Sequence, residues 1–231
     1  MKFEKTTVDA VGADERRAYR AGGIAALVLG IGYIIIFPLY AHVGAPPTGG
    51  DAWFHYLPGK TTVWWAILGL SVFTDFLFVP VAFALFLALK GVNRNAMLLA
   101  TALVGLFVVL DLAVTWSHYA SILTLYRNYS TAPDDAHRAA YVAAADYASA
   151  MLTSPLEIVY SIVTLSSGIL LTGLVMLRGA FDRITACLGL ATGVLGIASL
   201  TGLNLAIIGN ALCATVWLFF AGSRLYRLGR E

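Results

Sequence analysis

Residues 184–223 read ITACLGLATGVLGIASLTGLNLAIIGNALCATVWLFFAGS, forty positions without Asp, Glu, Lys or Arg. As one helix this run would be about 60 Å long, twice the roughly 30 Å hydrocarbon core of a bilayer. It must fold back on itself. Thr201-Gly202-Leu203-Asn204 is the place where it can turn, because Gly and Asn tolerate positive φ and the polar side chains suit an interface. The run therefore predicts two antiparallel helices, residues 184–201 and 205–223.

Four more stretches of the chain have the same character. Residues 21–40 are uncharged; residues 61–89 are interrupted only by Asp75; residues 96–125 carry only Asp111 and His118; residues 155–177 carry only Glu157. Each supplies the roughly 20 apolar residues that a crossing helix needs. The expectation is an all-α, polytopic bundle of six transmembrane helices, one membrane domain over residues 1–231. Composition agrees: the chain is 59% hydrophobic and 12% charged, with a mean hydropathy of +0.80, whereas soluble domains carry about 25% charged residues. A soluble domain and a disordered tail are excluded, and a net charge of +2 makes no face for nucleic acid.

Basic residues orient the bundle, since positively charged loops stay cytoplasmic. With both termini inside the cell, twelve of the fifteen Lys and Arg, including Lys2 and Lys5, fall on the inner side and only Lys60, Arg127 and Arg138 fall outside. Five or seven crossings lose this bias. The apolar stretch at residues 21–40 is too long for a signal-peptide core, and no small-residue cleavage site follows it, so it reads as a retained first helix of a multi-pass cell-membrane protein. Trp53, Trp64, Trp65 and Trp116, with Tyr56, Tyr119, Tyr126 and Tyr129, fall at the outer edge and are expected to sit at headgroup depth. Two outer segments, residues 42–60 and 126–154, are long. In the second, Pro133 at a first helical position, followed by Asp134 and Asp135, starts a helix expected over residues 134–152, lying on the outer surface.

Ionisable residues within a membrane are costly, which makes each of them a site hypothesis. Counted from the inner ends at 1.5 Å per residue, Asp75 and Asp111 lie at one level on neighbouring antiparallel helices, and Asn210 and Tyr33 lie close to it. No Lys or Arg shares that depth. The two carboxyl groups are expected to face each other and to carry at most one charge between them. Two readings are open: the acidic floor of an outward-facing cavity that binds a small molecule or cation, or an interhelical network that only holds the bundle together. Pro80 and Pro38 free the carbonyls of Phe76 and Ile34, which favours the first. Glu157 reads as the N3 residue of a capping box begun by Ser154 and Pro155, with a ligand role secondary. His118, two turns beyond Asp111, reads as an interfacial histidine bonded to water, with a ligand role as its alternative.

Gly189 and Gly193 form a GxxxG whose small face suits packing within the chain or, as an alternative, a homodimer. Cys187 and Cys213 sit at different depths and do not pair. No HExxH, no G-x-S-x-G and no cluster of His or Cys occurs, so neither metal nor cofactor is implied.

Thr74-Asp75, the closing Ala84-Leu85-Phe86-Leu87-Ala88-Leu89-Lys90, the helix from Gly168 to Gly173 and the Gly-rich Leu188 to Gly196 together resemble a bacterial and archaeal family of six-helix integral membrane proteins with no assigned activity. The resemblance implies architecture only. The leading expectation for function is the binding or passage of a small or lipid-like molecule among membrane lipids. An intramembrane enzyme using a buried carboxylate as general acid or base, or a structural subunit, are the alternatives.

Overall fold

The structure is a computed structural model that describes residues 12–231; Lys2 and Lys5 lie outside the described residues. Among these residues it is all-helical, with no strand. Five helical runs are long and apolar enough to cross a membrane: Ala13–Val43, Thr61–Ser130, Pro155–Met176, Arg183–Thr201 and Asn204–Leu228. Their outward faces carry Ile24, Ile31, Ile34, Phe73, Phe76, Phe83 and Ile208, all exposed. An apolar surface of this extent is suited to lipid.

The first run is α1 (Ala13–Val43), followed by the short α2 (Gly50–Tyr56). The second run begins as α3 (Thr61–Leu110), passes through a π-helical turn at Asp111–Trp116 and ends as α4 (Ser117–Ser130). Its 70 residues would extend about 105 Å if straight. They do not: at Asn93 the backbone leaves the helix (φ −155°, ψ 93°), and the Asn93 side chain accepts a hydrogen bond from the Ala96 N–H at 3.1 Å, starting a new helix as an N-cap does. The two limbs then lie side by side. Phe78 and Phe107, about 43 Å apart along a straight helix, have ring centroids separated by 5.4 Å.

After α4 come α5 (Asp135–Leu152), one turn of α6 (Pro155–Ile158), a second π-helical turn at Val159–Val163 and α7 (Thr164–Met176). The uncharged residues 184–223 lie within α8 (Arg183–Ala198), a 3-10 turn (Ser199–Thr201) and α9 (Asn204–Leu228). The reversal falls at Gly202, whose φ of 73° is a left-handed conformation that Gly adopts without a Cβ penalty. In the bundle α1 packs on α3 and α9, α7 on α3 and α8, and α8 on α9.

Two apolar clusters stack along the bundle. One fills its body and includes Leu29, Phe78, Met97, Phe107, Ile169 and Trp217. The other lies at the end capped by α2 and α5 and includes Trp53, Phe54, Trp64, Ile67 and Ile122. Here the headgroup expectation is corrected. Trp53 and Trp64 are buried and Trp65 is exposed, because α2 and α5 fold over this end and turn an interfacial belt into a core. Trp64 stacks on Tyr119 at 5.1 Å and meets Trp53 edge-on at 5.4 Å.

Pro133 is not the first helical residue of α5: Asp134 is the N-cap and Asp135 the first helical position, two residues later. The Asp134 side chain accepts from the His137 backbone N–H at 2.9 Å, which holds the carboxyl below the usual carboxylate range. Gly189 and Gly193 pack within the chain. A Cβ on Gly189 would lie 3.3 Å from Gly173 Cα, and one on Gly193 would lie 2.8 Å from Leu170 Cα. The small face is thus spent on the close approach of α8 to α7. Cys187 and Cys213 are free thiols.

Candidate functional site

Between the two apolar clusters lies a cavity of about 240 Å³, walled by α1, both limbs of α3, the two π-helical turns, α7 and α9. Asp75, Asp111, Tyr33 and Asn210 all line it. These are the four residues that the equal-depth count brought to one level. Both acids are buried, at 3% and 4% exposure.

One side chain joins them. The Trp116 indole N–H donates to Asp75 Oδ2 at 2.8 Å and to Asp111 Oδ2 at 3.0 Å. The reason lies in the π-helical turn Asp111–Trp116. In an α-helix, residue i+5 points away from residue i; the wider i→i+5 turn brings it back over the same face. Trp116, expected at the headgroups, is therefore a wall of the cavity. The extra residue in that turn rotates everything beyond it by about 100°, which moves His118 off the face of Asp111. His118 does not line the cavity; its Nδ1 faces the Val114 carbonyl and its ring lies 6.0 Å from that of Tyr147 on α5. Neither Phe76 nor Ile34, whose carbonyls the prolines free, lines the cavity.

Glu157 is also relocated. Ser154 caps α6 as expected, accepting from the Leu156 N–H at 3.3 Å. Glu157 does not complete the box: the Ser154 N–H goes to the Met151 carbonyl, and Glu157 Oε1 accepts instead from Thr115 Oγ1 across the bundle at 3.3 Å. Thr115 belongs to the same π-helical turn as Asp111 and Trp116, so a third carboxyl group stands beside the pair although it does not line the cavity. Glu157→Gln keeps an acceptor for Thr115 and is expected to leave the unfolding midpoint unchanged, while Ser154→Ala loses the cap and about 1 kcal/mol. A thermal-unfolding series in detergent checks both; a Gln variant as damaged as the Ala variant would show that the charge itself holds this end of α6.

The wall opposite the acids is pinned by Asn210 on α9. Its Nδ2 donates to Ser166 Oγ at 3.1 Å and to the Thr192 carbonyl at 2.7 Å. Asn210 is thereby an organiser of α7, α8 and α9, and its amide donors are spoken for. On the other side Gly32 lets α3 come close, since a Cβ there would lie 2.6 Å from Thr74 Cγ2; that approach seats Asp75, the next residue, against α1. Among the described residues no group of three or more His, Cys, Asp or Glu comes together to hold a metal ion.

The hydrogen-bond inventory at the acids is incomplete. One N–H serves two carboxyl groups, and Asp111 Oδ1, buried in a side chain that lines the cavity, has no hydrogen-bond partner among the protein's own groups. Buried polar atoms in folded proteins are nearly always served by protein or by bound molecules, so this oxygen is open to a molecule in the cavity, water included. In comparisons with known proteins, no family model, no curated protein and no solved structure matches the chain.

Proposed function

We propose that the chain is a multi-pass protein of the cell membrane, with six crossings and both termini in the cytoplasm, that binds or passes a small or lipid-like molecule in a cavity opening toward the outer side. The observation that carries this reading is the cavity of about 240 Å³ in which Asp75, Asp111, Tyr33 and Asn210 meet. The reversal of α3 at Asn93 supports the sixth crossing, because it divides the longest run into two limbs of membrane-spanning length. The Lys and Arg count supports the orientation: the cap of α2 and α5 carries few of them, and the opposite end carries most.

Thiol labelling in intact cells tests the proposal. In a background lacking Cys187 and Cys213, cysteines at the exposed Thr48 and Ala136 are expected to react with an impermeant reagent, and one at Gly91 only after permeabilisation. Gly50 is unsuitable, since a Cβ there would lie 2.7 Å from the Asp146 backbone nitrogen. A cysteine at Ala211, on the cavity wall, is expected to react with a small water-borne reagent from the outer side. Labelling of Gly91 in intact cells would reverse the orientation, and an Ala211 thiol inert from both sides would leave the acids in a closed structural network.

A further inference from the structure

Apart from any proton that the two carboxyl groups share, the acid pair has a single hydrogen-bond donor and no positive charge beside it. Asp75 and Asp111 share the single Trp116 N–H, and Asp111 Oδ1 has no partner. Among the described residues no Lys or Arg lines the cavity. No other polar side chain of the cavity donates to the acids in the structure: the Asn210 amide is directed to Ser166 and Thr192, the Thr74 hydroxyl to the Ser71 carbonyl at 2.8 Å and the Ser161 hydroxyl to the Glu157 carbonyl, and the Tyr33, Tyr40, Ser71 and Ser166 hydroxyls make no hydrogen bond to either carboxyl group. A primary ammonium group carries three N–H donors and one positive charge, which is the complement of what is missing.

The rest of the cavity describes the rest of the ligand. Tyr33, Phe37, Tyr40, Phe107 and Trp116 line the same cavity as the acids. Aromatic faces attract a cation within about 6 Å of the ring and offer an apolar surface to the carbon skeleton attached to it. At about 240 Å³ the space is below the roughly 300–1,000 Å³ of drug-sized pockets, so the skeleton is short. A carboxylate ligand would meet two acids with no counter-charge, and a neutral alcohol would bring one donor and no charge.

We propose that the cavity is a receptor for a small primary amine with an apolar, aromatic-compatible body, its ammonium group held between Asp75 and Asp111 beneath the Trp116 indole. The proposal rests on the reading of this cavity as a binding site and specifies its ligand class.

The test uses the full chain in lipid nanodiscs and three probes on one 2-phenylethyl skeleton, 2-phenylethylammonium, 2-phenylethanol and the slightly longer 3-phenylpropanoate, with binding followed by tryptophan fluorescence and by the shift of the unfolding midpoint. The amine is expected to bind at least about tenfold more tightly than the alcohol, as a charge-assisted hydrogen bond in a buried site provides, and the carboxylate is expected not to bind. Asp111→Asn should reduce the preference for amine over alcohol to below about threefold, with Asp75→Asn as the second variant should the first not fold. Ala211→Phe, which fills the space and leaves both acids in the sequence, should abolish binding of amine and alcohol alike. Equal binding of amine and alcohol, both lost in Ala211→Phe, would overturn the ligand class and leave the binding cavity standing. So would amine binding that neither Asn variant weakens. Failure of all three probes to bind the unaltered protein, with Ala211→Phe as stable as the parent, would overturn both.

Discussion

Trp116→Phe is expected to destabilise the bundle by about 2–3 kcal/mol, more than either single replacement of the acids beneath it, because it removes the one donor that both share and leaves two buried carboxyl groups unserved. Phe keeps an aromatic ring beside Tyr119, whose centroid lies 5.7 Å from that of Trp116, but it drops the pyrrole half of the indole, so the loss combines the N–H with some packing. Asp75→Asn and Asp111→Asn keep an acceptor for the indole and should fold. A single Asp→Leu change leaves the other acid to receive the N–H and should cost less than the loss of the indole. The triple variant with Leu at both acids and Phe at position 116 should regain much of the loss, since replacing all partners by apolar groups strands no polar atom. Unfolding titrations of these variants in mixed micelles measure the whole cycle. A Trp116→Phe protein as stable as its parent would mean that the indole does not hold the pair.

The second large effect is expected where α1 crosses α9. A Cβ placed on Gly23 would lie 2.6 Å from the Tyr226 backbone nitrogen and 2.9 Å from the Gly222 carbonyl oxygen, and one on Gly222 would lie 3.0 Å from the Gly23 carbonyl oxygen. The two backbones touch at reciprocal glycines, the kind of approach that helix pairs in membranes use. Backbone cannot swing aside as a side chain can. Gly23→Val should therefore separate the helices at a cost of about 3 kcal/mol or more, enough to lower the yield of folded protein. Gly69→Ala is the control: nothing lies within 4 Å of its added Cβ, and the change should be neutral or favourable by up to about 1 kcal/mol through helix propensity. Equal yields of the two variants would show that the α1 and α9 backbones do not meet there.

What could be read from residues alone was of one kind, position along a helix axis. Hydropathy and the 1.5 Å rise are properties of single residues that add up along the chain. The same arithmetic that called for a turn near Thr201-Gly202-Leu203-Asn204 brought Asp75, Asp111, Tyr33 and Asn210 to one level, and the structure turns at Gly202 and lines one cavity with those four side chains. The free cysteines and the cap at Ser154 follow from equally local reasoning.

Direction around the axis belongs to the tertiary structure. Two π-helical turns, Asp111–Trp116 and Val159–Val163, face the cavity, and no residue pattern announces such a turn. Each inserts a residue and resets the face of everything beyond it by about 100°. That is why Trp116 entered the site while His118 left it. Glu157 has the spacing of a capping box, yet Thr115, 42 residues away, offers its carboxyl a partner across the bundle; a choice between a local and a distant partner depends on which helix happens to be near. The aromatic edge was decided in the same way. Trp53 and Trp64 have the composition of an interfacial belt, but α2 and α5 close over them, and burial depends on what covers a side chain as well as on what the side chain is.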